Sequence, residues 1–187
     1  PAITRALGGR AAIAVERGEW DDAAEHVARS LDLIRERGLE HYSTSGLTFA
    51  IATRCAVHQG QLDLARRRLA RATALRPLYT TATPGLSVNT LLELARAHLA
   101  LSDVTGALTV IRQSGGILAE RPDLGLLSAQ HDEFKKRLDA MQSNAVGASA
   151  LTTAELRLLP YLVTHLSFPE IGERLYISRN TVKTQAM

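Results

Sequence analysis

The sequence predicts an all-α chain: helical hairpins stacked in tandem, followed by a small domain of three short helices. Two observations carry that reading. The first is internal repetition. The segments Gly18-Glu19-Trp20-Asp21-Asp22-Ala23, Gly60-Gln61-Leu62-Asp63-Leu64-Ala65 and Ser102-Asp103-Val104-Thr105-Gly106-Ala107 recur 42 residues apart, and self-similarity at a fixed period of this size marks a repeat architecture. The second is a run of three helix starts beyond Ala150. Each has a capping residue, an apolar residue before it and another one turn in, the pattern that satisfies a helix's first N–H groups and fixes its entry angle.

Within the repeats the same register holds on both sides of the turn. Val15, Val57 and Leu99 precede it, Trp20, Leu62 and Val104 follow it, and Val27, Leu69 and Ile111 lie further along. Each unit therefore reads as an apolar-periodic helix, a tight turn and a second amphipathic helix. Ala23, Ala65 and Ala107 are small enough for two helices to cross closely, and Gly18 and Gly60 can take the left-handed conformation that ends a helix. Gly38 closes the second helix of the first unit. Thr83-Pro84 starts the first helix of the third, after a loop over Arg76 to Thr83. A last helix is expected from Asp123 to Gln142, with Leu126, Leu127, Phe134, Leu138 and Met141 as its apolar positions. Ser143 to Ala150 is small, polar and aperiodic, which predicts a linker. The domains are thus 1–142, a linker at 143–150, and 151–187.

The repeats resemble tetratricopeptide-like units, with a period longer than the usual 34 or so residues. Such lengthened repeats, forming an α-α superhelix, are what MalT-like regulators carry before a DNA-binding domain.

The three helix starts are Leu151-Thr152-Thr153-Ala154-Glu155-Leu156, Leu166-Ser167-Phe168-Pro169-Glu170-Ile171 and Ile177-Ser178-Arg179-Asn180-Thr181-Val182. Capping boxes are expected from Thr152 to Glu155 and from Ser167 to Glu170, with Ser178 capping the third helix. The helices begin near 153, 168 and 179, and only Tyr176-Ile177-Ser178 separates the last two, which makes them a helix-turn-helix. Leu156, Leu159, Leu162, Ile171, Leu175, Ile177 and Val182 supply its core.

The ordered matches Leu151-Thr152, Glu155, Glu170-Ile171, Glu173-Arg174-Leu175, Ile177-Ser178 and Thr181-Val182-Lys183-Thr184 are similar to the LuxR-type DNA-binding signature across residues 151–187. Three positions differ from it: His165, Gly172 and Gln185. The resemblance implies a transcription regulator that binds DNA as a dimer, and it implies that Lys183, Thr184 and Met187 face the groove, a set whose spacing agrees with one helix face. Ser178, Thr181 and the start of the third helix, with Arg179 and Asn180 beside them, would contact phosphate. The chain ends inside that helix and opens Pro1-Ala2-Ile3 without a signal segment, so it reads as an excised piece that binds DNA poorly by itself. The repeats would sense an effector or a protein partner, and the competing reading is a repeat scaffold without DNA binding.

Composition sets the remaining expectations. A 45% hydrophobic content supports real cores, and a net charge of +3 is spread thinly, with four basic against three acidic residues beyond Ala150. Cys55 is the single cysteine and reads as a small buried hydrophobe in a cytoplasmic protein. Trp20 reads as packing at the repeat turn, Asp21 and Asp22 as helix-start acids, and Arg66-Arg67-Arg68 with Arg71 as the wet face of a repeat helix. The six histidines show no metal-ligand spacing, and no phosphate-binding loop is present, so neither a cofactor, a metal nor an enzyme is expected; an ATPase module would lie upstream.

Overall fold

In a computed structural model of the chain, the described residues are 2–148, 158, 160–162, 166–175 and 177–185, with the backbone alone at 144–148 and 184–185. Among them every regular element is a helix. Two compact units are present, Pro1–Asp139 and Ala140–Met187.

The first unit is built of three antiparallel hairpins: α1 (Ala2–Arg17) with α2 (Trp20–Glu36), α3 (Gly46–His58) with α4 (Leu62–Ala74), and α5 (Pro84–Ala100) with α6 (Val104–Glu120). The first helices of the hairpins stack on one another, α1 on α3 and α3 on α5. α3 is consequently apolar over most of its circumference, as a largely covered helix must be, with Leu47, Phe49, Ala50, Ile51 and Ala52 all buried. The second helices are amphipathic and bury only one stripe. On α4 that stripe is reduced to Ala65 and Ala72.

The 42-residue period is reproduced at the level of single hydrogen bonds. Gly18, Gly60 and Ser102 donate to Val15, Val57 and Leu99, and the next residues, Glu19, Gln61 and Asp103, donate to Ala14, Ala56 and His98. This paired bonding is the Schellman ending of a helix, and it requires the positive φ found at Gly18 (76°), Gly60 (72°) and Ser102 (61°). Ala23, Ala65 and Ala107 are each 0% exposed at the crossings that follow. Gly38 takes a positive φ just past α2, as expected. Leu62 departs from the packing pattern of Trp20 and Val104 and stands exposed.

The loop between α4 and α5 contains a 3-10 turn at Arg76–Leu78 and is clamped to α6. Gln113 donates to the carbonyls of Arg76 and Tyr79 and accepts from Arg76 Nε at 3.0 Å. Thr83 precedes α5 at its N-cap position, but its hydroxyl meets that of Ser87 and does not cap the backbone.

The final long helix, α7 (Leu126–Ala148), differs from expectation in three ways. It starts three residues later than Asp123. Its packed positions are Leu127, His131, Phe134 and Leu138, so Leu126 precedes the buried stripe and is 73% exposed, while Met141 is also exposed. It also continues through Ser143–Ala148, most of the 143–150 segment expected to be a linker, whose last two residues lie outside the described ones, and the boundary between the units falls inside it at Asp139/Ala140. The stretch lacks proline and contains Ala145 and Ala148; extending a formed helix needs no new nucleus, so weakly polar residues continue it at little cost.

In the second unit Leu158 and 160–162 are helical, α8 spans Phe168–Leu175 and α9 spans Arg179–Gln185. The three residues 176–178 separate α8 from α9, as expected. Leu158, Ile171 and Val182 form the buried core, joined by Tyr161, Leu166, Leu175 and Ile177. Leu162, expected in that core, is exposed. Its neighbour Tyr161 packs against that core instead. The Thr152–Glu155 box, the helix start near 153, Leu156 and Leu159 lie outside the described residues.

Candidate functional site

The pair α8 and α9 is held by side-chain caps and one close backbone approach. Ser178 accepts a hydrogen bond from the Thr181 N–H at 3.1 Å, and the two hydroxyls meet at 2.9 Å. One hydroxyl proton is used between them, which leaves the other available to an outside acceptor. At the start of α8, Glu170 accepts from both the N–H and the hydroxyl of Ser167, at 2.8 and 2.6 Å. The Ser167 hydroxyl thus turns to the glutamate rather than to the backbone of residue 170, and only the glutamate's half of the expected box is made. These bonds, the Ser167 hydroxyl first, hold the Glu170 carboxyl below its ordinary value.

Gly172 explains itself by space. Ile177 N–H donates to the Gly172 carbonyl at 2.9 Å, and a Cβ on residue 172 would lie 2.7 Å from the Ile177 carbonyl oxygen. Only a glycine lets the turn close on α8 this tightly.

With Val182 buried, Arg179, Asn180 and Lys183 fall on exposed parts of α9 and Thr181 is half-buried. Thr184 belongs to the α9 backbone and Met187 lies outside the described residues. The structure therefore brings Ser178, Arg179, Asn180, Thr181 and Lys183 together over a single short helix and its cap.

A second candidate was not anticipated from the sequence. A groove of about 800 Å³ crosses the stacked first helices and is flanked by α7. Its floor carries Glu16, Arg54 and Arg96, tied together by charge: Arg54 bridges Glu16 at 3.1 Å and the buried Glu93 at 2.8 Å, and Glu93 also binds Arg96. Glu93 is 3% exposed, and a carboxylate so buried is tolerable because two guanidinium groups share it. At one end Trp20 stacks on His58, ring centroids 4.1 Å apart and planes within 7°. Leu126 and Phe134 of α7 supply apolar wall.

A signal for this groove was present. Arg54 and Arg96 are one repeat apart, each the single arginine on the first helix of its hairpin. Glu16, Arg54, Arg96, Glu133 and Arg137 line the groove, and the buried Glu93, which is bonded to Arg54 and Arg96 without lining it, brings the charges of the set to balance. Such a lining selects by shape and aromatic contact more than by net charge.

Cys55 is buried as expected, and desolvation pushes its thiol up, against the nearby Arg68 and Arg54. It is the wrong state for a nucleophile. Among the described residues no cluster of His, Cys, Asp and Glu could hold a metal ion, and no helix is long and apolar enough to cross a membrane. No protein family, curated protein or solved structure matches the chain, so a functional reading rests on this geometry and on the sequence pattern.

Proposed function

We propose that the chain is part of a LuxR-type, MalT-like transcription regulator that offers α9 to the major groove of DNA and takes an effector or protein partner in the groove of its helical repeats. The observation that carries this reading is the pair α8 and α9, joined by three residues, with Val182 in the core and Arg179, Asn180 and Lys183 exposed. Two short helices so joined are the arrangement by which recognition helices enter a major groove, reading bases from the outer face while the other helix crosses the backbone. Arg179 and Lys183 give that face its positive charge, and phosphate contacts of this kind position a protein on DNA before any base is read.

The test is binding to DNA sites selected from a random pool, measured across salt for the natural chain containing these residues and for its Lys183→Ala variant. If Lys183 meets a phosphate, the variant weakens binding on every sequence and reduces the salt slope by about one unit; if it reads a base, about 1–3 kcal/mol disappears at one base pair. Unchanged affinity on selected and scrambled sites alike would remove α9 as the reading element. The runner-up, a repeat scaffold that does not bind DNA, is favoured by the size and aromatic end of the groove. It would be preferred if no salt-dependent DNA binding is found.

A further inference from the structure

The arginines of α4, expected to form a solvated face, are not all solvated. α2 and α4, the second helices of consecutive hairpins, scarcely touch, and between them lies a cleft of about 380 Å³, at the small end of ligand pockets. Its apolar side is Leu31 and Ile34 of α2 with Phe49 of α3, the last two almost fully buried. Its other side is Arg67, Arg68 and Arg71, one turn of α4.

None of these three guanidinium groups makes an ion pair among the described residues, whereas Arg66 beside them is held by Asp63 at 2.9 Å. Across the cleft Arg35 is already taken by Asp32, and Glu40, which also lines it, pairs with none of the three. Arg71 lies over the Phe49 ring, 5.8 Å from its centre, and so ties the cationic side to the apolar floor. Arg68 is half-buried and spends one N–H on the Ala52 carbonyl at 3.1 Å. A guanidinium carries five donors and does not give up its charge, and a partly desolvated cation without a counter-anion is an unfavourable arrangement that an anion relieves. Desolvation lowers the Arg68 pKa, and its ionisable neighbour Cys55 is kept neutral by burial, so that thiol does not serve as the anion.

We propose that this cleft binds an amphipathic oxyanion, a carboxylate or phosphate attached to an apolar body, with the acid on Arg67, Arg68 and Arg71 and the body on Leu31, Ile34 and Phe49. A bare inorganic anion leaves the apolar side empty, and a neutral apolar molecule leaves the arginines unpaired. Both therefore bind more weakly than a molecule that has both parts. The site is separate from α9 and stands whether or not the chain binds DNA.

Calorimetric titration with decanoate, decyl phosphate, decanol and inorganic phosphate tests it, each probe held below its aggregation limit. Decanoate or decyl phosphate should bind at least tenfold more tightly than decanol and than inorganic phosphate, and the tighter of the two identifies the acid. Arg68→Met and Arg71→Met should each weaken that binding about tenfold, with an unchanged circular-dichroism melt confirming the fold. Arg71 is exposed, so its variant keeps the test alive if Arg68→Met unfolds. Binding of decanol as tight as that of the tighter acid, or unaltered binding of that acid by both variants, overturns the proposal. So does a loss of affinity for duplex DNA in the variants with decanoate binding intact, which would assign the arginines to a nucleic-acid surface.

Discussion

The three repeat turns share one backbone path but not one chemistry. At the first two, a glycine adopts the left-handed conformation, the small residues Ala14 and Ala56 sit at the helix end, and Glu19 and Gln61 occupy the cap position without capping. At the third, Ser102 adopts that conformation at a cost, His98 replaces the alanine, and Asp103 binds the Gly106 N–H at 2.8 Å and the His98 ring at 2.8 Å. Gly106 stands where the earlier turns have Asp22 and Leu64, and a methyl group there would overlap the His98 ring and the Asp103 carboxylate. A larger residue on one helix is matched by a smaller one on the next. The comparison teaches that the repeat conserves a shape, and that a lost backbone freedom can be offset by side-chain hydrogen bonds around the same shape.

The largest effect should come from breaking that size match. Gly106→Ala adds helix propensity, worth up to about 1 kcal/mol, but overpacks a buried ring, which costs about 1–3 kcal/mol. It should therefore lower stability. In a His98→Ala background the Asp103 oxygen that would meet the methyl group loses the ring that it is bonded to and can rotate away, so the same Gly106→Ala change should raise stability instead. Urea unfolding of the four proteins of this double-mutant cycle measures the coupling, expected at about 1–3 kcal/mol. Additive effects would mean that the two positions are not matched at all.

A smaller effect belongs to the cap. Asp103→Ala should cost about 1 kcal/mol near neutral pH, as cap removals do. The Gly106 N–H first, and the His98 ring second, hold the Asp103 carboxyl below its ordinary value. A depressed folded value means that the ionised group stabilises the fold above the ordinary aspartate range near 3.9, and that this contribution is lost as pH falls through the lower folded value. Asp103→Asn keeps a capping oxygen without the titration. Thermal melts of wild type and Asp103→Asn should therefore converge as pH drops below about 4; a constant gap at all pH values would show that the charge contributes nothing.

How much of this was legible in the sequence follows from the range of the interactions. The hairpins were legible because Ala23, Ala65 and Ala107 and the turn residues act through neighbours a few positions away, and even Ser102 could be placed by register. The Ser178 cap and the turn before α9 were legible for the same reason. The charged floor of the groove was not. Arg54 finds Glu93 across 39 residues, and only the fold selects that partner among the chain's acids, although the shared repeat position of Arg54 and Arg96 was a clue. Amphipathicity marked Arg67, Arg68 and Arg71 as polar-face residues but says nothing of α2 standing opposite one edge of that face. The expected linker failed for a different reason: composition at Ser143–Ala148 resembles a loop, while the helix arriving from α7 extends through it.

The smallest effect, and the sharpest probe of the comparison, is Ser102→Gly. An ordinary residue pays about 1–2 kcal/mol for the left-handed conformation. Glycine avoids that penalty but brings a more disordered unfolded chain, worth about 0.5–1 kcal/mol in the opposite direction. The net gain should be below about 1 kcal/mol, seen as a higher urea midpoint with an unchanged slope. Ser102 is exposed and its hydroxyl makes no hydrogen bond among the described residues, so nothing else should be lost with the side chain. The reverse changes, Gly18→Ser and Gly60→Ser, should lower the midpoint by a similar amount. If Ser102→Gly instead leaves the midpoint unchanged or lowers it, the third turn does not bear the conformational cost assigned to it, and Asp103 and His98 are not offsetting one.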